Sequence, residues 1–178
     1  DETVSGERGC YEKALISKIW HKREWRRRKE MSEEKIVSVI RDFAEAYVKR
    51  DVEKMLSFLT DDVVRISPEG TFKGKEEVKR YLTWDAQITP DIKLREAGVG
   101  IIVKGNKAAY EWTYEGSTSD GRRWRDIPGI TTYEFSGEKI QQYREYYDRL
   151  SMGKQVAKGW FEKMIVGTIV NRWEKGLH

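Results

Sequence analysis

The chain runs to 178 residues, 36% of them charged and 38% apolar, with a net charge of +4. One domain of roughly 100–150 residues plus extensions fits that length, and apolar residues gathered in short periodic blocks argue against disorder despite the charge. No run approaches the roughly 18 apolar residues that cross a membrane, and the single cysteine, Cys10, excludes an internal disulfide and fits a reducing, cytoplasmic setting.

Residues 1–30 carry a weak amphipathic pattern, Tyr11, Leu15 and Ile19, followed by WHKREWRRRKE at 20–30. They read as a basic, helical N-terminal extension without the basic start and apolar run of a secretory signal. Its charge fits a solvated face first, and an anionic membrane or nucleic acid second. Met31 reads as a fresh start, with Ser32 as a helix cap and Glu33 and Glu34 in the first turn.

From Ser32 to about Lys49 the apolar spacing is helical, through Ile36, Ile40, Phe43 and Tyr47. A short helix over 52–59 buries Met55, Leu56 and Leu59, and DDVVRIS (61–67) reads as a strand stopped by Pro68 and Gly70. KEEVKRYL (75–82) returns to helix with Val78, Tyr81 and Leu82 inward. After Pro90, turns at Gly105-Asn106, Asp120-Gly121 and Ser136-Gly137 separate four strands, about 92–103, 107–118, 122–135 and 139–149. Connections this short make neighbours antiparallel.

Within the second of these strands Ala108, Tyr110, Trp112 and Tyr114 share one face. Gly98, Gly100 and Pro128-Gly129 predict bulges or bends that curve the sheet. Arg122, Arg123 and Arg125 with Trp124 resemble a nucleic-acid patch, but their place after a hairpin puts them on the outer sheet face, and no nucleic-acid partner is expected. Parity turns Asp126 outward. In YREYYD (143–148), Tyr143, Glu145 and Tyr147 share one face, and Arg144, Tyr146 and Asp148 the other. Residues 151–178 read as one amphipathic helix, with Trp160, Phe161, Met164, Ile165, Ile169 and Trp173 along its apolar side. That helix suits docking on the domain, on the N-terminal helix or on a second subunit, or peripheral contact with a membrane.

The only histidines are His21 and His178, so any acid–base chemistry between them falls to carboxylates, tyrosines, lysines or water. Without Cys/His metal spacing or a phosphate-cradling glycine loop, neither metal nor cofactor is expected.

Two stretches, EEKIVSVIRDFAEAYVKRDVEKMLSFLTDDVVRISPEGTFKGKEEVKRYL and TTYEFSGEKIQQYREYYD, resemble the nuclear transport factor 2-like superfamily in its SnoaL-like branch. The resemblance covers residues 32–150 and sets a SnoaL-like domain at 31–150. It implies an α+β, cone-shaped (cystatin-like) fold, in which a curved antiparallel sheet wraps over N-terminal helices and encloses a pocket, with extra terminal helices. By position in that fold, Tyr47, Arg65, Ser67, Trp112, Tyr114, Thr131, Tyr133, Glu145 and Tyr147 face inward.

The limonene epoxide hydrolase pattern transfers only in its last-strand carboxylate, Glu145. Its Arg-x-Asp reads Trp112-Thr113-Tyr114 here, and its Tyr and Asn positions read Arg65 and Ser67. In the ketosteroid isomerase pattern the base falls at Ser67, and the oxyanion donors at Phe43 and Thr131. The resemblance therefore implies a cofactor-free isomerase, cyclase or hydrolase acting on a small apolar, oxygenated ligand. Glu145, Tyr114 and Tyr47 are the expected catalytic groups; Arg65, Ser67, Trp112, Thr131, Tyr133 and Tyr147 are the expected ligand contacts. A homodimer is expected. Glu145 has two readings: a desolvated carboxylate with a raised pKa, or a buried partner of Arg65 with a depressed one. The alternative function is a non-catalytic ligand-binding, oligomerisation or membrane-docking module.

Overall fold

The computed structural model describes residues 31–173. The basic run at 20–30 and the last residues, 174–178, lie outside the described residues. Helix α1 (Glu33–Val48) starts at Ser32, whose side chain accepts from the Lys35 N–H, and buries Ile36, Val39, Ile40, Phe43 and Ala46. Arg50 follows in the left-handed conformation (φ 58°) and turns the chain into α2 (Val52–Ser57), capped by Asp51. Strand β1 (Leu59–Ser67) then forms a hairpin with β2 (Gly70–Lys73). The next helix, α3 (Lys75–Ile88), buries Val78, Tyr81, Leu82 and Asp85. It extends a turn and a half beyond the helix expected at 75–82.

The meander follows as β3 (Asp91–Lys104), β4 (Lys107–Ser117), β5 (Arg123–Ser136) and β6 (Lys139–Tyr147). The sheet order is β2-β1-β6-β5-β4-β3, with antiparallel pairing except where β1 runs parallel to β6. Helices followed by a curved, open six-stranded sheet make this an α+β fold of the expected kind, and the core lies between helices and sheet.

Sheet curvature has local causes. Gly98 (φ 51°) and Gly100 (φ 66°) sit in the irregular stretch where β3 slips against β4 between Glu96 and Ile101. A second bulge sets Arg125 and Asp126 against Glu115 alone, since Tyr114 pairs with Ile127 and Gly116 with Trp124. This corrects two expectations. Trp124 is buried in the core rather than grouped with the arginines on the outer face, because the extra residue restores its inward parity. Pro128-Gly129 pairs regularly with Thr113 and Trp112, so the bend lies three residues earlier. Asp126 points outward as expected and accepts from Arg95 at 2.8 Å.

The C-terminal segment also departs from expectation. Asp148 is not a strand residue but the N-cap of α4 (Arg149–Val156), accepting from the Ser151 N–H. The single helix expected over 151–178 is two among the described residues: α4 packs on β5, and Ala157–Gly159 separate it from α5 (Trp160–Trp173). Ala157 is extended (ψ 119°), which ends the first helix.

Candidate active site

A cavity of about 170 Å³ opens between α1, α3, the concave sheet face and α4. Alternation along the strands fills its wall. Thr131 pairs with both Tyr110 and Glu145, while Gly129 pairs with both Trp112 and Tyr147, so these side chains stand on one face. Gly129 is required there: a Cβ would lie 2.2 Å from the Trp112 ring. From the other side come Tyr47 near the end of α1 and Tyr81, Trp84 and Asp85 on α3. Glu69, from the β1–β2 turn, and Arg149 and Met152, from α4, complete the lining.

Three carboxyl groups line the cavity, each held differently. Glu145 Oε2 accepts from Arg65, whose other terminal nitrogen donates to Ser67 at 2.6 Å. Arg65 is 3% exposed and stacks on the Tyr81 ring, 3.5 Å from its centroid. Asp85 Oδ2 accepts from Arg50 and from the Tyr47 hydroxyl, both at 3.0 Å, and Arg50 also grips Thr89. Glu69 accepts from Tyr147 and, at 3.4 Å, from Tyr81. Trp112 donates to Thr131 at 2.8 Å, and among the described residues the Tyr114 hydroxyl meets only the Met152 sulfur, at 3.2 Å.

Burial pushes the Glu145 carboxyl above the ordinary glutamate range. The Arg65 charge opposes that rise, and Asp85 and Glu69 reinforce it. The ion pair expected as one reading of Glu145 therefore forms, but the depressed pKa expected with it does not follow. Pairing through one oxygen is not enough to offset desolvation, and Oε1 makes no hydrogen bond among the described residues. Burial also acts on Glu69, but hydrogen bonds from Tyr147 and Ser67 outweigh it and hold that carboxyl low. Burial raises the Tyr114 hydroxyl well above its usual value, so it stays protonated at neutral pH.

The structure brings together Tyr47, Arg65, Trp112, Tyr114, Thr131, Tyr133, Glu145 and Tyr147 on the cavity wall. Ser67, expected as a ligand contact, does not line it; its Oγ is engaged behind the wall by Arg65. Tyr47, expected among the catalytic groups, donates its hydroxyl hydrogen bond to Asp85. Asp85 itself was legible as the next residue on the Val78, Tyr81, Leu82 stripe, had the helix been carried to its end. Glu69 lies in a turn, where no periodicity signals which way it points. Among the described residues no group of three or more His, Cys, Asp or Glu could hold a metal ion.

Several solved structures share this architecture. One is an NTF2-like protein of unknown function from Burkholderia pseudomallei, with TM-score 0.63 and 19% identity over 72% of this chain and 100% of that one. Another is a Jannaschia protein described as a SnoaL-like polyketide cyclase, at TM-score 0.64 and 12% identity over 72% and 97%. A third, from Catenulispora acidiphila, has a ketosteroid isomerase-like fold and was solved in complex with trimethylamine, at TM-score 0.62 and 16% identity over 68% and 93%. At such identities the likeness is one of fold. No curated protein matches the chain. The SnoaL-like domain profile matches residues 40–143, more than half of the chain and the cavity wall apart from Glu145, Tyr147, Arg149 and Met152, and the protein thus belongs to the SnoaL-like domain family.

Proposed function

We propose that the cavity binds a small oxygenated molecule and that Glu145 carries out proton transfer on it without a cofactor, as in an isomerase, cyclase or hydrolase. The observation that carries this reading is Glu145 itself: a carboxyl four-fifths buried with raised proton affinity, tied to Arg65 through one oxygen and open to accept through the other. A base of that kind takes a proton from an activated C–H or from water more effectively than an ordinary glutamate. Tyr114 is the matching donor. Among the described residues its hydroxyl has a thioether alone for partner, a weak acceptor, and can turn to a developing oxyanion. Arg65 holds the glutamate in place from behind. The volume suits one ring or a short branched chain, since an apolar cavity near 150 Å³ takes up benzene.

The test is turnover across a panel of ring-sized enones, epoxides and hydroxy ketones, with Glu145→Gln and Tyr114→Phe beside the wild type. Loss of about 100-fold or more in kcat for Glu145→Gln, with the ligand still bound, is expected for a general base. Undiminished turnover of whatever substrate emerges removes Glu145 from the chemistry.

A second role is favoured by α5. Trp160 is 77% exposed, and Phe161, Met164, Ile165 and Ile169 are exposed beside it. An apolar row of this size that no other described residue covers marks a contact surface, which we assign to a second copy of the chain; membrane contact is the other use it would suit. No helix among the described residues is long and apolar enough to cross a membrane.

A further inference from the structure

We infer that the cavity's ligand carries an organic ammonium group, held against the rings of Trp112, Tyr114 and Tyr147 and facing Glu69, Asp85 and Glu145. The inference rests on the reading of the cavity as a small-molecule site and adds the charge of its occupant. Its first support is an inventory of protons. The Tyr47 hydroxyl donates to Asp85, those of Tyr81 and Tyr147 to Glu69, and the Trp112 N–H to Thr131. Arg65 gives its terminal nitrogens to Ser67 and Glu145. The donors that flank the three carboxyl groups are thus spent within the protein, whereas the phenol oxygens and carboxylates keep unused lone pairs. The Tyr114 hydroxyl, on the Met152 sulfur, and the donors of Trp84 and Tyr110, which make no hydrogen bond among the described residues, lie elsewhere on the lining. Next to the carboxyl groups the wall has more to offer a donor or a cation than an anion.

The second support is the arrangement of the rings. Trp112 and Tyr114 meet at 5.5 Å and 81°, Tyr114 and Tyr147 at 5.8 Å and 84°, and Trp112 and Tyr147 at 6.5 Å and 42°. Two of the three pairs stand near perpendicular, the disposition of adjoining walls in an aromatic cage, whose negative ring faces attract alkylammonium. The carboxylates supply the long-range attraction. Arg50 pairs with Asp85 from outside the lining, Arg65 on the wall is taken up by Glu145 and Ser67, and Arg149, also on the wall, reaches Glu69 only at 3.9 Å with a largely exposed side chain. The three carboxyl groups do not converge into a metal-holding group, so the positive charge that fits is diffuse rather than a point ion.

Choline and 3,3-dimethylbutan-1-ol have nearly the same shape and differ in charge, which makes them the probes. Titration calorimetry of the full chain should find choline bound at least about tenfold tighter, a gap within the range of desolvated cation–π contacts. Glu69→Gln and Glu145→Gln, each checked for unchanged circular dichroism, should each shrink that preference several-fold. Equal or tighter binding of the alcohol, or saturable binding of neither, overturns the inference. Glu145-dependent turnover of a neutral substrate alongside equal binding would overturn the ammonium alone and leave the proton-transfer reading standing. Preferential choline binding with no Glu145-dependent reaction would do the reverse.

Discussion

Glu145 sits between opposing influences: burial and its carboxylate neighbours raise its proton affinity, and Arg65 lowers it. The balance has a sign that two measurements can read. As a base it must be ionised, so kcat/KM should rise with pH through an inflection above the usual glutamate value of about 4.3 and then level off. In folding the linkage runs the other way. A carboxyl whose folded pKa is raised contributes stability that is fully present below its unfolded pKa and lost as pH rises through the folded one. Urea unfolding at a series of pH values should therefore show the wild type losing ground to Glu145→Gln between about pH 4 and neutrality. A constant difference would mean that Glu145 titrates normally. Gly129 makes a second point at this scale. A Cβ there would meet the Trp112 ring at 2.2 Å, so Gly129→Ala should push the indole into the cavity. The expected cost is about 1–3 kcal/mol of stability, typical of overpacking, with weakened ligand binding; an unchanged Tm and near-UV circular dichroism would contradict it.

Elements are joined around the cavity by buried polar ties as much as by apolar packing. The turn between α1 and α2 places Arg50 in a left-handed conformation, which costs of order 1–3 kcal/mol for a non-glycine residue. That conformation delivers the guanidinium to Asp85 and Thr89 at the far end of α3. Both members of the pair are about nine-tenths buried, with side-chain exposures of 12% and 11%. Arg50→Ala therefore leaves a buried carboxylate without its cation and should cost about 3–5 kcal/mol. Adding Asp85→Asn should recover part of that loss, because the orphaned charge is gone; denaturant unfolding of the two variants checks both steps. A double variant no more stable than the single would show that Arg50 acts through its backbone or its packing on Tyr47.

For the molecule as a whole, the enclosed cavity and the exposed α5 are separate features. Helix α4 belongs to the cavity through Arg149 and Met152, while α5 presents its apolar side outward. If that side is a self-association surface, Phe161→Lys with Ile165→Lys should lower the sedimentation coefficient to that of a monomer. Tm should change little, since neither side chain is in the core. An unchanged oligomeric state would remove α5 from assembly, and vesicle sedimentation would then decide the membrane alternative.

The amino-acid sequence by itself determined the element order from α1 to β6 apart from the short strand β2, the turns of the meander, and the shared faces of Trp112 with Tyr114 and of Glu145 with Tyr147. Periodicity of 3.6 or 2 and turn chemistry are local properties that a linear chain displays. It also restricted any acid–base chemistry there to carboxylates, tyrosines, lysines or water by having no histidine between residues 22 and 177. Only the tertiary structure decided that Trp124 turns inward past a one-residue bulge, and that Glu69 and Asp85 join Glu145 on one cavity wall. It alone decided that Arg65 holds a single oxygen of Glu145, that Ser67 stands behind Arg65, and that residues 151–173 break into two helices. Those outcomes depend on contacts across tens of residues, such as the 80 that separate Arg65 from Glu145. A proton affinity set by desolvation and by charges from three other elements has no counterpart in the order of residues along the chain.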